Sequence, residues 1–448
     1  MEKITRLFDL LPHYETKFRP KDDVVAGKEN GEWIKYSIGQ YREAADAISF
    51  ALLGNGIVKG DKIATIMTSR PEWNFIDMGI MQIGAVHVPV YPTISESDYK
   101  YILNHAGVKF VFISGRDIYR KIEHILPDVV DLKGVYSVKE TEGTMLLDDF
   151  SASGRRQANP QLLEKAKAAV GTDDIATLIY TSGTTGNPKG VMLTHANIIS
   201  NFIAVQHIPP IGEEGKALSY LPLCHVYERM LNYLYQYLGI SVYYAESMAT
   251  IGDNMREIRP DILTTVPRLL EKIYDRIMNT GRKLKGIRRF IFFWAVNLGL
   301  KYEMYEANGW FYSVQLRLAN KLVFSKWRDA VGGNMKVIVS GGAALQPRLA
   351  RVFWAAGIPV LEGYGLTETS PVIAVNDFSE NGNSIGTVGR VLKGITLQIA
   401  GDGEILCKGP NVMPGYFKEP ELTSEAIDKE GWFHTGDIGR LESTGHLR

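Results

Sequence analysis

Cysteine is almost absent from this 448-residue chain, which holds only Cys224 and Cys407. Two thiols build no disulfide framework, and no Cys/His grouping has zinc spacing, so a reducing interior is the natural compartment and a cytoplasmic protein is expected. Long apolar runs are equally scarce. The longest, residues 290–296, falls well short of the ~18 needed to span a bilayer. The start, Met1-Glu2-Lys3-Ile4-Thr5-Arg6-Leu7-Phe8-Asp9, is broken by charges before a signal-peptide core can form, so it reads as mature sequence. An excess of one charge is missing too. Fifty basic residues balance fifty acidic ones, which argues against wholesale nucleic-acid binding. No obvious Cys/His pair occurs, so chemistry through a protein nucleophile is not indicated.

What is present is the composition of a globular protein, 45% hydrophobic and 22% charged, in a chain long enough for two or three packed units. Short β-branched runs alternate with segments of helical period, the pattern of parallel strands joined by crossover helices. In a first series, residues 63–67, 85–90 and 110–114 read as strands and 71–83 as a helix; Ser95, with Asp98 three residues on, opens another helix. A second series reads as strands at 217–221, 242–244, 262–266, 337–340 and 359–361. After Asn376, strands at 396–400 and 404–408 flank the Gly-Asp-Gly turn of a hairpin. The expected fold is therefore α/β: two doubly wound, mostly parallel sheets packed together, with a small β subdomain. The expected divisions are 1–200, 201–375 with a helical insertion at 275–332, and 376–448.

The densest chemical signal is Thr181-Ser182-Gly183-Thr184-Thr185-Gly186-Asn187-Pro188-Lys189-Gly190, between the apolar run 178–180 and a helix starting near His195. Hydroxyls, glycine N–H groups and a lysine in one loop suit a polyphosphate. The loop is not a Walker A sequence, because Lys189 stands three after Gly186 and is followed by Gly190.

With this loop the chain resembles the adenylate-forming superfamily of acyl-CoA ligases, luciferases and peptide-synthetase adenylation domains, and three further segments fit in the same order. Glu362-Gly363-Tyr364-Gly365-Leu366-Thr367-Glu368 resembles the family's second signature. The resemblance implies that Tyr364 stacks on adenine, Thr367 meets the α-phosphate and Glu368 holds Mg²⁺ together with Thr184. Ser340-Gly341-Gly342-Ala343 resembles the segment along the adenine and one wall of the acyl site, and Gly431-Trp432-Phe433-His434-Thr435-Gly436-Asp437 the segment whose aspartate takes the ribose hydroxyls. Implied substrates are ATP with Mg²⁺, a carboxylic acid and CoA, and the implied reaction runs through an acyl-adenylate to a thioester.

Leu221-Pro222-Leu223-Cys224-His225-Val226-Tyr227-Glu228-Arg229-Met230 resembles the segment bordering the acyl site of acyl ligases, with His225 near the reacting carboxylate. It lacks the aspartate by which amino-acid-activating relatives hold the substrate amine, which points to an amine-free acid. Tyr233 to Leu238 is a candidate tunnel lining, and 264–274 resembles the long-chain branch. A long-chain fatty acid:CoA ligase is the leading expectation. Other acyl or aryl adenylate formers, or a nucleotide- or lipid-binding module without turnover, are the alternatives. Five of the eight residues 282–289 are basic and precede Phe290-Ile291-Phe292-Phe293-Trp294, an order suited to peripheral contact with anionic lipid. The sequence stops at Thr444-Gly445-His446-Leu447-Arg448, which resembles the strand ahead of the family's hinge. The family's small C-terminal domain is thus expected to be missing, leaving ATP and acid binding with impaired turnover.

Overall fold

A computed structural model describes residues 4–182 and 186–448. Two large sheets organise it. In an eight-stranded sheet, Lys62–Ile66 lies between Val86–Val90 and Val108–Ile113, all parallel; Gly134–Ser137 extends one side and Ile175–Thr181 the other. The nine-stranded sheet runs Val360–Gly365, Val337–Ser340, Ile262–Thr265, Lys216–Ser219, Ser241–Tyr244 and Val25–Glu29 in parallel succession, with antiparallel strands at both edges. The edge pair Val25–Glu29 and Glu32–Tyr36 comes from the N-terminal region, so this sheet draws strands from both sides of residue 200. A separate antiparallel sheet of Thr396–Ile399, Glu404–Lys408 and Phe433–Ile438 forms the expected β unit.

The phosphate loop departs from expectation in one respect. Ile175–Thr181 and Lys189–Thr194 pair antiparallel, so the loop closes a hairpin instead of joining a strand to a helix. The helix His195–Val205 begins only after the second strand, capped by Thr194, whose hydroxyl accepts from Asn197 N–H. The helix His195–Val205 is therefore separated from this loop by a whole strand.

Two helices fill the space between the sheets. Pro71–Gln82 is buried at every position but Glu72, and Val226–Leu238 is buried over most of its length. Burial on all sides normally demands apolar residues, yet these helices meet through charge. Arg229 donates to Asp77 Oδ1 at 2.5 Å and to Thr177 Oγ1 at 2.7 Å, while Tyr233 OH donates to Asp77 Oδ2 at 2.5 Å. Burial alone would raise the Asp77 carboxyl pKa; Arg229 and the hydrogen bonds from His87 and Tyr233 reverse this and hold it low. His87 Nδ1 lies 2.6 Å from Asp77 Oδ1, and its Nε2 lies 2.8 Å from Thr65 Oγ1. That fixes a neutral ring donating from Nδ1 and accepting at Nε2. Burial pushes its pKa down to about 4 against the pull of Asp77.

Removing one partner strands the other charge. Arg229→Ala is expected to lower urea-unfolding stability by about 3–5 kcal/mol. Acid should act earlier than carboxylate titration. His195, buried with Nδ1 accepting from Leu7 N–H, is also pushed down to about 4 by burial. The unfolded chain then takes up these protons first, so stability falls as pH drops from about 6.5 towards 4, by about 1.4 kcal/mol per pH unit per histidine. Urea unfolding at about pH 7 and about pH 5 measures this.

Candidate active site

The strand Val360–Gly365 carries the second signature out of the nine-stranded sheet. A side chain at Gly365 would place Cβ 1.8 Å from the Pro371 carbonyl, so the chain folds back closely only with glycine there. The returning backbone sets Thr367–Thr369 as a single tight turn, which leaves Thr367 and Glu368 on the wall of a cavity of about 300 Å³. Gly341, Gly342, Gly363, Tyr364 and Gly365 line the same end. Beyond them the wall turns apolar, with Val205, Ile208, Met230, Leu231, Leu234 and Val339. Glu368 is the one carboxylate of this lining among the described residues.

A second cavity of about 400 Å³ opens on the side of the eight-stranded sheet, where Thr181, Ser182, Pro188, Tyr180 and Tyr91 form part of its wall. His225 and Thr367 line both cavities. His225 caps the helix Val226–Leu238, its Nδ1 accepting from Tyr227 N–H at 3.2 Å. The neutral ring then carries its proton on Nε2. Its surface opens to the cavities while protein surrounds it, and that desolvation lowers its pKa below the ordinary histidine value. At neutral pH it is an uncharged donor at the seam.

Glu368 and Lys189 come together through a residue with no prior signal. Tyr416, in the short strand Gly415–Tyr416 paired against Val191 and Met192, donates to Glu368 Oε1 at 2.9 Å. Lys189 Nζ lies over its ring, 5.4 Å from the centroid. Asp437, exposed in Phe433–Ile438, accepts from Tyr364 OH at 2.7 Å, so the third sheet delivers a carboxylate to the rim of the first cavity.

Other expected residues fall differently. Gly183, Thr184 and Thr185, including the expected metal contact at Thr184, lie outside the described residues. Gly186 is exposed and adopts φ +120°. Ala343 is exposed and stands outside the cavity lining, while Gly342 is part of it. Glu362 is buried behind the wall, receiving Leu345 N–H at 3.3 Å; burial raises its pKa to about 7 against that bond and one from Gly386. Tyr233 and Tyr235 are not tunnel walls. Tyr233 is bound to Asp77, and Tyr235 OH lies 2.7 Å from Thr264 Oγ1. Tyr227 was not singled out either; its ring sits where a Cβ on Gly341 would approach to 2.9 Å.

Comparison with known proteins gives a consistent picture. The family description "AMP-binding enzyme" matches residues 15–417. The chain is similar to fatty acyl-CoA synthetase A of Dictyostelium discoideum, 32% identical over 95% of this chain and 66% of that protein. It is also 32% identical to the long-chain-fatty-acid–CoA ligase FadD15 of Mycobacterium tuberculosis, over 93% of this chain and 69% of that one. A peroxisomal long chain acyl-CoA synthetase 6 of Arabidopsis thaliana is likewise 32% identical, over 93% of this chain and 61% of its own length. The chain thus spans about two thirds of the length of these curated relatives. Among solved structures, the inhibitor-bound N-terminal domain of FACL13 from Mycobacterium tuberculosis superimposes with TM-score 0.76 at 22% identity, covering 99% of this chain and 98% of that one. The anthranilate CoA ligase AuaEII with anthranoyl-AMP gives TM-score 0.77 at 19% identity, over 99% of this chain and 77% of the other.

The closeness of the turn at Gly365 is testable. Gly365→Ala is expected to cost about 1–3 kcal/mol in urea unfolding because Cβ meets backbone that cannot swing aside. Gly252→Ala, a helical site with nothing within 4 Å, should be neutral or slightly stabilising.

Proposed function

Since the chain belongs to the AMP-binding enzyme family, we propose that it is the nucleotide- and acyl-binding part of a long-chain fatty acid:CoA ligase, which joins the acid to AMP from ATP and then to CoA. The observation that carries this reading is a single cavity, polar at Gly363 to Glu368 and apolar beyond, with no carboxylate along its apolar part among the described residues. Such a wall offers an aliphatic chain a dry site and offers a substrate amine no partner.

Two anions must meet for adenylation, and their repulsion must be screened while the carboxylate oxygen lines up behind the α-phosphorus. Lys189 and the hydroxyls of Thr181 and Ser182 take the polyphosphate. Thr367, on both cavity walls, donates to the α-phosphate. His225 donates from Nε2 to the acid's carboxylate, and its lack of charge lets it orient that group without quenching it. Tyr364 supplies the face for adenine, and the Asp437 carboxylate accepts from the ribose hydroxyls.

The donor set suits a hard cation shared with phosphate. Glu368 commits one oxygen to Tyr416 and keeps the other free of hydrogen bonds among the described residues. No cluster of three or more potential protein ligands occurs there, which fits an ion such as Mg²⁺ that takes one carboxylate and completes its shell with water and phosphate oxygens. Bound there, it would neutralise charge developing on the phosphates.

Calorimetric titration with ATP tests the assignment. Binding should strengthen when Mg²⁺ is added, and Glu368→Gln should remove that gain. Asp437→Ala should weaken ATP about tenfold or more, as loss of hydrogen bonds to a charged acceptor does. A chain that binds no ATP, or that loses nothing in either variant, would contradict the reading.

A further inference from the structure

The nine-stranded sheet has a second covered face. Ile262 and Val339 point towards the acyl cavity, while Leu263 and Ile338 point the opposite way, into a core built with the helices Gly286–Gly299 and Gly309–Ala319. The run 290–294 mostly serves that core. Phe292 is buried against Gly281 and Trp327, and Ile291, Phe293 and Trp294 are partly buried there, so of these five only Phe290 stands clear, at 69% exposure.

Exposed apolar surface comes chiefly from the next helix. Trp310 is 78% exposed and Phe311 64%, and Val314, Leu318 and Leu322 follow on the same face by helical spacing. The opposite face is committed: Tyr312 OH donates to the Leu298 carbonyl at 2.8 Å, and Ala319 and Val323 are buried. Arg317 and Lys321 are exposed within the apolar stripe, and Lys285, Arg288 and Arg289 are exposed on the neighbouring helix and its approach.

The charge is lopsided. Residues 276–302 hold seven Lys or Arg and 307–328 hold four, with no Asp or Glu in either stretch, although the whole chain is balanced. Of the acids in the joining segment, Glu303 is held by Arg351 and Glu306 stands in the turn.

We propose that this face docks on the surface of an anionic lipid bilayer, with Trp310, Phe311 and Phe290 entering the headgroup region and the basic side chains on lipid phosphates. Apolar residues with interleaved Arg and Lys are the chemistry of interfacial helices. A second copy of the chain fits poorly, because a symmetric contact would oppose one basic face to another. Docking here anchors the protein. It does not thread acid through the patch, since the sheet separates it from the cavity.

The test is flotation of the 448-residue chain with vesicles of phosphatidylcholine alone and of phosphatidylcholine mixed with phosphatidylglycerol. The chain should float with the anionic vesicles and far less with the neutral ones. Replacing Trp310→Ser and Phe311→Ser together should weaken that association about tenfold, and Arg288→Glu with Arg317→Glu should do the same and flatten its salt dependence. All four side chains are exposed, and unchanged urea unfolding would show that the fold is kept. The proposal is overturned if the chain stays with the soluble fraction beside anionic vesicles, or if the variants float like the parent. It is also overturned if sedimentation shows a dimer that the Trp310→Ser, Phe311→Ser pair disperses.

Discussion

Arg229 and Asp77 share a site without access to water, and the position of one helix against the eight-stranded sheet follows from that fact. A buried ion pair is held only where its remaining hydrogen-bonding positions are filled. Here Tyr233, Thr177 and His87 fill them, one from the same helix and two from strands of the eight-stranded sheet. Rotating or sliding Val226–Leu238 by one residue would leave a guanidinium facing hydrocarbon. The network therefore sets register, a role that apolar packing with its tolerance of small shifts performs less strictly.

What that register places is the seam between the two cavities. His225 caps the fixed helix, and Met230, Leu231 and Leu234 project from it into the apolar end of the first cavity. Thr177 stands in the strand that leads to Thr181 and Ser182, and His87 in the strand that leads to Tyr91 on the second cavity. One charged contact thus ties the apolar wall of the first cavity, the shared histidine and the strand leading to Thr181 and Ser182 into a common frame. The third sheet contributes independently, bringing Asp437 to Tyr364.

Much of this was legible along the chain. Strands with β-branched periodicity stood within a few residues of expectation, and the loop from Thr181 to Gly190, singled out by its residue types, brings Thr181, Ser182 and Pro188 to the wall of the second cavity. Pairing direction was not legible. The antiparallel return of Lys189–Thr194 depends on a partner strand, and nothing local distinguishes it from a strand entering a crossover. The edge strands at 25–36 join their sheet through Ser241–Tyr244, nearly half the chain length away, which no window of sequence reveals. Tyr416 meets Glu368 across a shorter gap, 48 residues, that is likewise invisible to local pattern. Tyr233 and Tyr235 misled because an aromatic in a helix reads as wall or core, whereas their hydroxyls serve buried polar partners. In the 290–294 run composition suggested lipid contact, but only the folded arrangement shows that Phe292 faces inward and that Trp310 and Phe311 stand exposed beside Phe290.

The central claim is that one continuous site accepts a nucleotide and an aliphatic chain meeting at His225 and Thr367. Titration with a non-hydrolysable acyl-sulfamoyl adenosine bearing a long saturated chain tests it most directly, set against the same adenosine with an acetyl group and against the free fatty acid. The account predicts that the long-chain compound binds much more tightly than either, with affinity rising as methylenes are added and each buried one contributing about 0.8 kcal/mol. Equal affinity for the acetyl and long-chain compounds would contradict it.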